Sequence, residues 1–203
     1  MNGSSFDRLL QGPLGSEVVY ERAYLCPCTT EEGEATWKCP VCGGKGRVWD
    51  QASTPFKIGV TTLTARALAG IQQRFGQGMT GDATLSIPGA APCWGIVREG
   101  DRFTVTKALA PVEWSLAPGR VIKLPFLAQD LEARVLDPSG PGFQVVVAPG
   151  PDAAGAVQVA VPTVLTFKAP QRYEVVKDLA QMRAFAPGLP KKLLVKLIDW
   201  TVR

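Results

Sequence analysis

The chain reads CPC at residues 26–28 and CPVCGGKG at residues 39–46, and these two segments contain four of its five cysteines. The ten residues between the two cysteine pairs are enough for a short hairpin that brings the pairs together. Four thiolates complete the tetrahedral coordination of zinc and leave no position for a reactive water. The spacing therefore predicts a structural metal site with four ligands, Cys26, Cys28, Cys39 and Cys42.

The residues around the second cysteine pair favour a metal-binding turn. Pro40 fixes one backbone angle, and Gly43 permits the tight reversal that directs two sulfur atoms toward one ion. The pattern Cys-x-x-Cys-x-Gly-x-Gly at residues 39–46 resembles one knuckle of the zinc domain of DnaJ-type chaperones. The resemblance covers eight residues, so it implies zinc and not chaperone activity.

Zinc is the favoured cofactor, and two alternatives stay open. Iron in a rubredoxin-like site is the first, because tetrahedral thiolate sites hold either metal. Disulfides or free thiols are the second, although a disulfide within a CxC segment closes a small, strained ring. The chain begins MNGSSFD, which lacks the basic and apolar regions of a signal peptide. We therefore expect synthesis in a reducing cytoplasm, where thiols are kept available for metal.

Composition argues against catalysis and against membrane insertion. The chain contains no histidine, which removes the usual general base and the Ser-His and Cys-His nucleophile pairs. An enzyme remains an alternative through Glu99 with Asp101, Asp130 with Glu132, or Cys93. Alternating carboxylates are more simply the polar face of a strand, and a lone cysteine is more simply a small buried side chain. No run of about 18 apolar residues occurs, so we expect no membrane contact.

The remainder of the chain is typical of a mainly β protein, either a barrel or a sandwich. From Phe56 onward, short β-rich runs are interrupted by glycine and proline. Short helices are expected at residues 5–12 and, more weakly, at residues 65–75. The candidate strands are Lys57–Thr64, Ala83–Ile87, Gly95–Arg98, Arg102–Thr106, Arg120–Leu124, Ala133–Leu136, Phe143–Val147, Val157–Thr166 and Arg172–Val176.

These patterns predict three segments. Residues 1–51 form an N-terminal arm and a four-cysteine, zinc-ribbon-like hairpin module, on which Trp37 and Trp49 cover the site or dock it. Residues 52–176 form the β-barrel or sandwich. Residues 177–203 form a basic C-terminal arm whose last residues favour a strand. From residue 168 to the end, eight basic side chains accompany three acidic ones, a balance that suits an acidic partner protein or nucleic acid.

The order of these features resembles a minor structural protein of tailed bacteriophages, of the kind found at the neck (the head–tail connector) or near the tail base. The resemblance rests on the cysteine module followed by GDATLSIP at residues 81–88, GDRF at 100–103, YEVV at 173–176 and LPKK at 189–192. It implies a non-catalytic virion component made in the host cytoplasm. It also implies a homo-oligomeric ring whose neighbours are portal, adaptor or tail proteins, with possible contact to packaged DNA.

A zinc-ribbon protein that binds nucleic acid is the principal alternative. The module interleaves aromatic with basic side chains, as base stacking and phosphate contacts require. The residues concerned are Trp37, Lys38, Lys45, Arg47 and Trp49. Against this alternative, three glutamates lie in the same module, and the net charge of +4 is low for such a role.

Overall fold

The structure, a computed structural model, describes residues 3–30, 34–62, 82–125, 128–136, 143–146, 156–179 and 190–198. Within these ranges the chain is mainly β, with one helix, α1 (Gly3–Gln11), near its beginning. The strands are β1 (Ser16–Glu21), β2 (Ala23–Leu25), β3 (Arg47–Trp49), β4 (Phe56–Thr62), β5 (Ala83–Ile87), β6 (Arg102–Leu116), β7 (Val121–Lys123), β8 (Gln129–Leu136), β9 (Phe143–Val146), β10 (Ala156–Gln158), β11 (Thr163–Asp178) and β12 (Lys191–Ile198).

Six of these strands close into a barrel, which confirms the predicted fold class. The order around the barrel is β1, β6, β11, β12, β5 and β4, and β4 pairs again with β1. The pairings of β1 with β6, β11 with β12 and β12 with β5 are antiparallel. Closure gives each of the six strands a partner on both sides, so none of them presents a free edge within this barrel.

Alternation of apolar and polar residues explains why these segments form barrel strands. In β5, Ala83, Leu85 and Ile87 are fully buried, whereas the residues between them are partly exposed. Such a period of two places one face of a strand in the core. The same core contains Phe103 from β6 and Tyr173 from β11, both of which are almost completely buried.

The described residues fall into two compact units. The first takes in residues within 1–105 and 172–198, and the second takes in residues within 106–171. The second unit has its own core, in which the rings of Trp114 and Phe167 meet edge to face with 4.8 Å between their centroids. Strand β7 pairs with β10, and β8 pairs with both β9 and the first part of β11.

The division into residues 1–51, 52–176 and 177–203 stays a prediction about domains. The two compact units divide the chain at other positions. Residues on both sides of the predicted boundary near 51 belong to the first unit. Residues 191–198, assigned from sequence to a C-terminal arm, form β12 and pair with β5 and β11. Helix α1 matches the helix expected at residues 5–12, whereas the helix expected at 65–75 lies outside the described residues.

Three expectations about strands were wrong. The run Val157–Thr166, expected to be one strand, is divided between β10 and the start of β11, because residues 159–162 are bends and coil. Residues 95–98 form turns and coil, in which the backbone N–H groups of Ile96 and Val97 both donate to the carbonyl of Cys93. Strands β6 and β11 are longer than expected because they continue through Pro111 and Pro170. Proline removes a single backbone donor, so a strand can continue where that N–H is not required by a neighbour.

Among the described residues, no helix has the length and the apolar composition needed to cross a membrane.

Candidate metal centre

A short antiparallel hairpin brings the two cysteine pairs together. Strand β2 precedes Cys26, strand β3 follows the CxxC segment, and Leu25 lies opposite Arg47 in the pairing of the two strands. The backbone N–H of Cys26 donates to the carbonyl of Gly46 at 2.9 Å, which continues the pairing to the first cysteine. We call residues 23–49 the cysteine module.

The four sulfur atoms converge on one point. The Sγ atoms of Cys26, Cys28, Cys39 and Cys42 all lie within 4.8 Å of one another. Cys26 and Cys39 are separated by 3.7 Å between sulfurs, and Cys28 and Cys42 by 3.5 Å. In a tetrahedral site with zinc–sulfur bonds of about 2.3 Å, neighbouring sulfurs are about 3.8 Å apart. The observed separations fit that coordination, so the predicted ligands form a cluster that is close enough to bind one metal ion.

The cluster is buried and contains no disulfide. Cys26, Cys39 and Cys42 are 3%, 8% and 5% exposed, Cys28 is half-buried, and all four are free cysteines. A disulfide requires about 2.05 Å between sulfurs, and the observed contacts are much longer. The hydrophobic side chain of Val48 packs against the same cluster.

The glycines after the second cysteine pair shape the turn. Gly44 has a φ of +80°, and a Cβ atom added there would lie 2.6 Å from the carbonyl oxygen of Trp37. A side chain at this position would therefore meet rigid backbone and strain its own backbone as well. Gly46 also has a positive φ, and its N–H lies 3.4 Å from the Cys42 sulfur.

Backbone amides favour thiolates in the second cysteine pair. The amides of Cys42 and Val41 lower the pKa of Cys39. Burial opposes ionisation of Cys42, yet the amide of Gly46 and the neighbouring cysteines lower its pKa to about 7. Burial raises the pKa of Cys28 to about 12. Metal ligation requires thiolates, and the lowered pKa values of the second cysteine pair favour that form. Cys28 would lose its proton only when a cation binds.

The segment at residues 100–102 attaches the cysteine module to the barrel. The indole N–H of Trp49 donates to the carbonyl of Gly100 at 3.0 Å. The Arg102 guanidinium lies 3.2 Å from the centroid of the same indole, and it also forms an ion pair with Glu174 at 3.2 Å. The N–H of Ala23, at the start of β2, donates to Oδ1 of Asp101 at 2.8 Å. Both ends of the hairpin are thus held by three consecutive residues.

Asp101 is a fully buried carboxylate whose hydrogen bonds explain its position. Besides Ala23, it accepts from the hydroxyl of Tyr20 at 2.7 Å and from the backbone N–H of Arg98 at 2.9 Å. The guanidinium of Arg98 donates to the carbonyl of Ala23. Sequence reasoning did not identify this role. A Gly-Asp pair signals a turn, and nothing local indicates that the carboxylate would be buried.

The residues considered for an enzyme lie in different surroundings. Glu99 is exposed, whereas Asp101 is buried. In the second unit, Asp130 pairs with Lys168 at 2.8 Å and Glu132 pairs with Arg134 at 3.4 Å, all of them substantially exposed. Cys93 is 1% exposed, and burial raises its pKa to about 12.

The two tryptophans of the module have different roles. Trp49 is half-buried and docks the module. Docking was one of the two roles expected from the sequence, and covering the metal site was the other. Trp37 is 75% exposed, and the ammonium of Lys38 lies 4.3 Å from its ring centroid. The expectation that both indoles would pack is therefore wrong for Trp37.

No family model matches the chain, and comparison with curated proteins finds no match either.

Proposed function

We propose that Cys26, Cys28, Cys39 and Cys42 hold one zinc ion in a structural site. The convergence of four mostly buried sulfurs at separations near those of a tetrahedral site supports this proposal. Four thiolates complete the coordination, so the metal organises the hairpin and activates no water. In comparable small modules, binding of structural zinc contributes on the order of 10 kcal/mol.

The module needs such a contribution because its own core is small. Three buried cysteines, half-buried Cys28 and Val48 make up the hydrophobic cluster of the module. Strands β2 and β3 are three residues each, which is too short for a stable isolated hairpin. A metal ion that joins residues 26–28 to residues 39–42 supplies the missing constraint.

We propose further that the protein is a non-catalytic structural component of a tailed-phage virion, most simply a ring at the neck. The proposal rests on the sequence resemblance. It is supported by the position of the resembling segments on β5, the start of β6, β11 and β12, which are consecutive neighbours in the barrel. These segments therefore belong to one structural element.

Ring assembly would place constraints on the surfaces of the barrel. A ring needs two different complementary surfaces on each protomer. The six barrel strands are each paired on both sides, so contacts between barrels would use outer faces and loops instead of strand edges. Portal, adaptor or tail proteins would be the neighbours of such a ring, and the basic residues after 168 could face packaged DNA.

Native mass spectrometry of the purified chain tests both proposals together. One zinc per chain within a ring-sized oligomer supports both of them. One iron per chain would replace zinc while keeping the four-cysteine site. A chain without metal contradicts the proposed site, and a strict monomer in the presence of candidate neck and tail proteins contradicts the ring.

Nucleic-acid binding is the second candidate, because the aromatic–cation pair of Trp37 and Lys38 is accessible. Trp37 is 75% exposed with Lys38 beside its ring, an arrangement that suits stacking on an unpaired base. Trp49 is less suited, since its indole N–H is engaged by Gly100. Salt-dependent binding of single-stranded DNA that is lost in Trp37→Ala would support this candidate, and binding that is unchanged in the variant would exclude Trp37 from it.

A further inference from the structure

We propose that the metal centre is also a modification site, at which peroxide converts the four cysteines into two disulfides, first Cys28–Cys42 and then Cys26–Cys39. This inference rests on the proposed metal site, because the four sulfurs that would be oxidised are the proposed metal ligands. It adds which sulfurs combine and in which order.

The pairing follows from the sulfur contacts. The contacts at 3.5 Å and 3.7 Å each join one cysteine of the CxC segment to one cysteine of the CxxC segment. Closing either contact to about 2.05 Å requires a movement of about 1.5 Å, which side-chain rotation can supply. A bond between Cys26 and Cys28 would instead close a ring over a single intervening residue, which is strained.

The order follows from exposure. Cys28 is half-buried, whereas the other three cysteines are at most 8% exposed. A small oxidant in solution therefore reaches Cys28 first. The sulfur of Cys42 lies 3.5 Å away and is the partner in contact when Cys28 is oxidised.

The chemistry balances with hydrogen peroxide as the oxidant. As a metal ligand Cys28 would be a thiolate. Its sulfur attacks one peroxide oxygen, the O–O bond breaks, and the product is a sulfenic acid and, after protonation, water. The Cys42 thiolate then attacks the sulfenic sulfur, forms the S–S bond and displaces hydroxide, which is protonated to water. Cys26 and Cys39 repeat the sequence with a second peroxide. Four thiolates lose four electrons, two peroxides and four protons become four waters, and the divalent metal is released.

The two disulfides would preserve the architecture of the module. Each one joins residues 26–28 to residues 39–42, which are the same two segments that the metal joins. Strands β2 and β3 stay paired, and Trp49 stays hydrogen-bonded to Gly100. Oxidation would thus replace one cross-link by another instead of releasing the module. A virion made in a reducing cytoplasm and released into an oxidising medium would keep this part of its fold.

The test is a peroxide titration of the full-length protein, with metal content measured before oxidation. Dimedone traps sulfenic acid at low peroxide, and non-reducing digestion with mass spectrometry maps disulfides at higher peroxide. Cys93→Ser serves as the matched control, because Cys93 is the fifth cysteine and lies outside the cluster. We expect the dimedone label on Cys28, then the Cys28–Cys42 bond, then both bonds. Relative to the reduced metal-free chain, the mass falls by about 4 Da.

The outcomes separate the two proposals. A first bond between Cys39 and Cys42, a first label on any other cysteine, or a bond to Cys93 overturns the inference, whatever the metal content. Absence of metal before oxidation overturns the proposed metal site, and the bonds are still mapped on the same sample. Unchanged hydrogen-exchange protection of the Ala23 and Cys26 backbone N–H groups, which bond Asp101 and Gly46, supports retention of the module after complete oxidation, and loss of that protection contradicts it.

Discussion

The hydroxyl of Tyr20 donates a 2.7 Å hydrogen bond to the carboxylate of Asp101, although the two residues are 81 positions apart in the chain. Both side chains are buried. The same carboxylate accepts from the backbone at Ala23 and Arg98. The end of β1, the start of β2 and the turn before β6 therefore meet at one charged group, which would be costly to bury without these donors.

Tyr20→Phe should lower the free energy of unfolding by about 1–3 kcal/mol, because it removes one donor to a buried carboxylate and leaves the ring in place. Chemical denaturation measures the change. Tyr24→Phe is the matched control, since the Tyr24 hydroxyl bonds Asp50 at an exposed site and should matter by less than about 0.5 kcal/mol. Equal losses of stability in the two variants would show that the buried hydrogen bond to Asp101 contributes no more than the exposed one to Asp50.

Trp49→Phe should weaken the attachment of the cysteine module while leaving its metal bound. The substitution removes the donor to Gly100 and reduces the contact with Arg102. We expect a loss of about 1–2 kcal/mol in the free energy of unfolding and an unchanged metal content by elemental analysis. Trp37→Phe changes an exposed indole and should change neither quantity. Metal lost together with stability in Trp49→Phe would place the indole in the site itself.

Cys39→Ser should abolish stoichiometric metal binding and disorder the cysteine module, residues 23–49, because three thiolates remain and the hairpin has little other core. Hydrogen exchange along the chain measures the extent of the loss, and Cys93→Ser is the control that retains metal. Full metal content in Cys39→Ser would rule out the four-cysteine assignment. Loss of protection throughout the barrel would show instead that module and barrel unfold as one cooperative unit.

Gly44→Ala should reduce metal affinity far more than Gly43→Ala. Both residues have positive φ, but a Cβ at Gly44 would lie 2.6 Å from the Trp37 carbonyl oxygen, whereas a Cβ at Gly43 meets no atom within 4 Å. Gly43→Ala therefore adds only the strain of a left-handed residue, about 1–2 kcal/mol. Competition with a chromogenic chelator measures both affinities. Similar metal affinities for the two variants would contradict this prediction, because the backbone at Trp37 would then move away from a Cβ atom at little cost.

Stability should fall in alkaline solution, in part through Cys93. Burial, with a smaller effect of the Asp101 carboxylate, raises the pKa of Cys93 from near 9 to about 12. Between these values the unfolded chain loses a proton that the folded chain keeps, so the group's contribution to stability is complete below about pH 9 and is lost as pH rises toward 12. The slope is about 1.4 kcal/mol per pH unit.

Chemical denaturation at several pH values from 8 upward measures how the free energy of unfolding depends on pH. Cys93→Ala should reduce this slope, because the titrating thiol is removed. A cavity left by the substitution lowers stability at every pH and does not change the slope. Tyr20 adds to the slope above about pH 10, because burial and its hydrogen bond to Asp101 raise its pKa. An identical slope in Cys93→Ala and the parent chain would contradict a buried neutral thiol.

Local patterns predicted the local features of this protein. The spacing of four cysteines predicted a cluster that the structure assembles from residues 26–42, and the alternation in residues 83–87 predicted β5. The strand predicted at residues 95–98 was wrong, because the apolar side chains of Ile96 and Val97 do not by themselves distinguish a strand from a turn. The burial of Asp101 was not predictable, since its hydroxyl donor comes from Tyr20, far away in sequence.

The pairing of β12 with β5 and β11 has a consequence for the order of events on the ribosome. The barrel cannot close until Ile198 has been translated, whereas the cysteine hairpin ends at Trp49. About 150 residues separate the two points, and at ordinary elongation rates they take roughly 8–30 s to synthesise. The nascent hairpin is thus complete before the barrel to which it docks exists, so its four cysteines are available to a metal ion while the rest of the chain is still being synthesised.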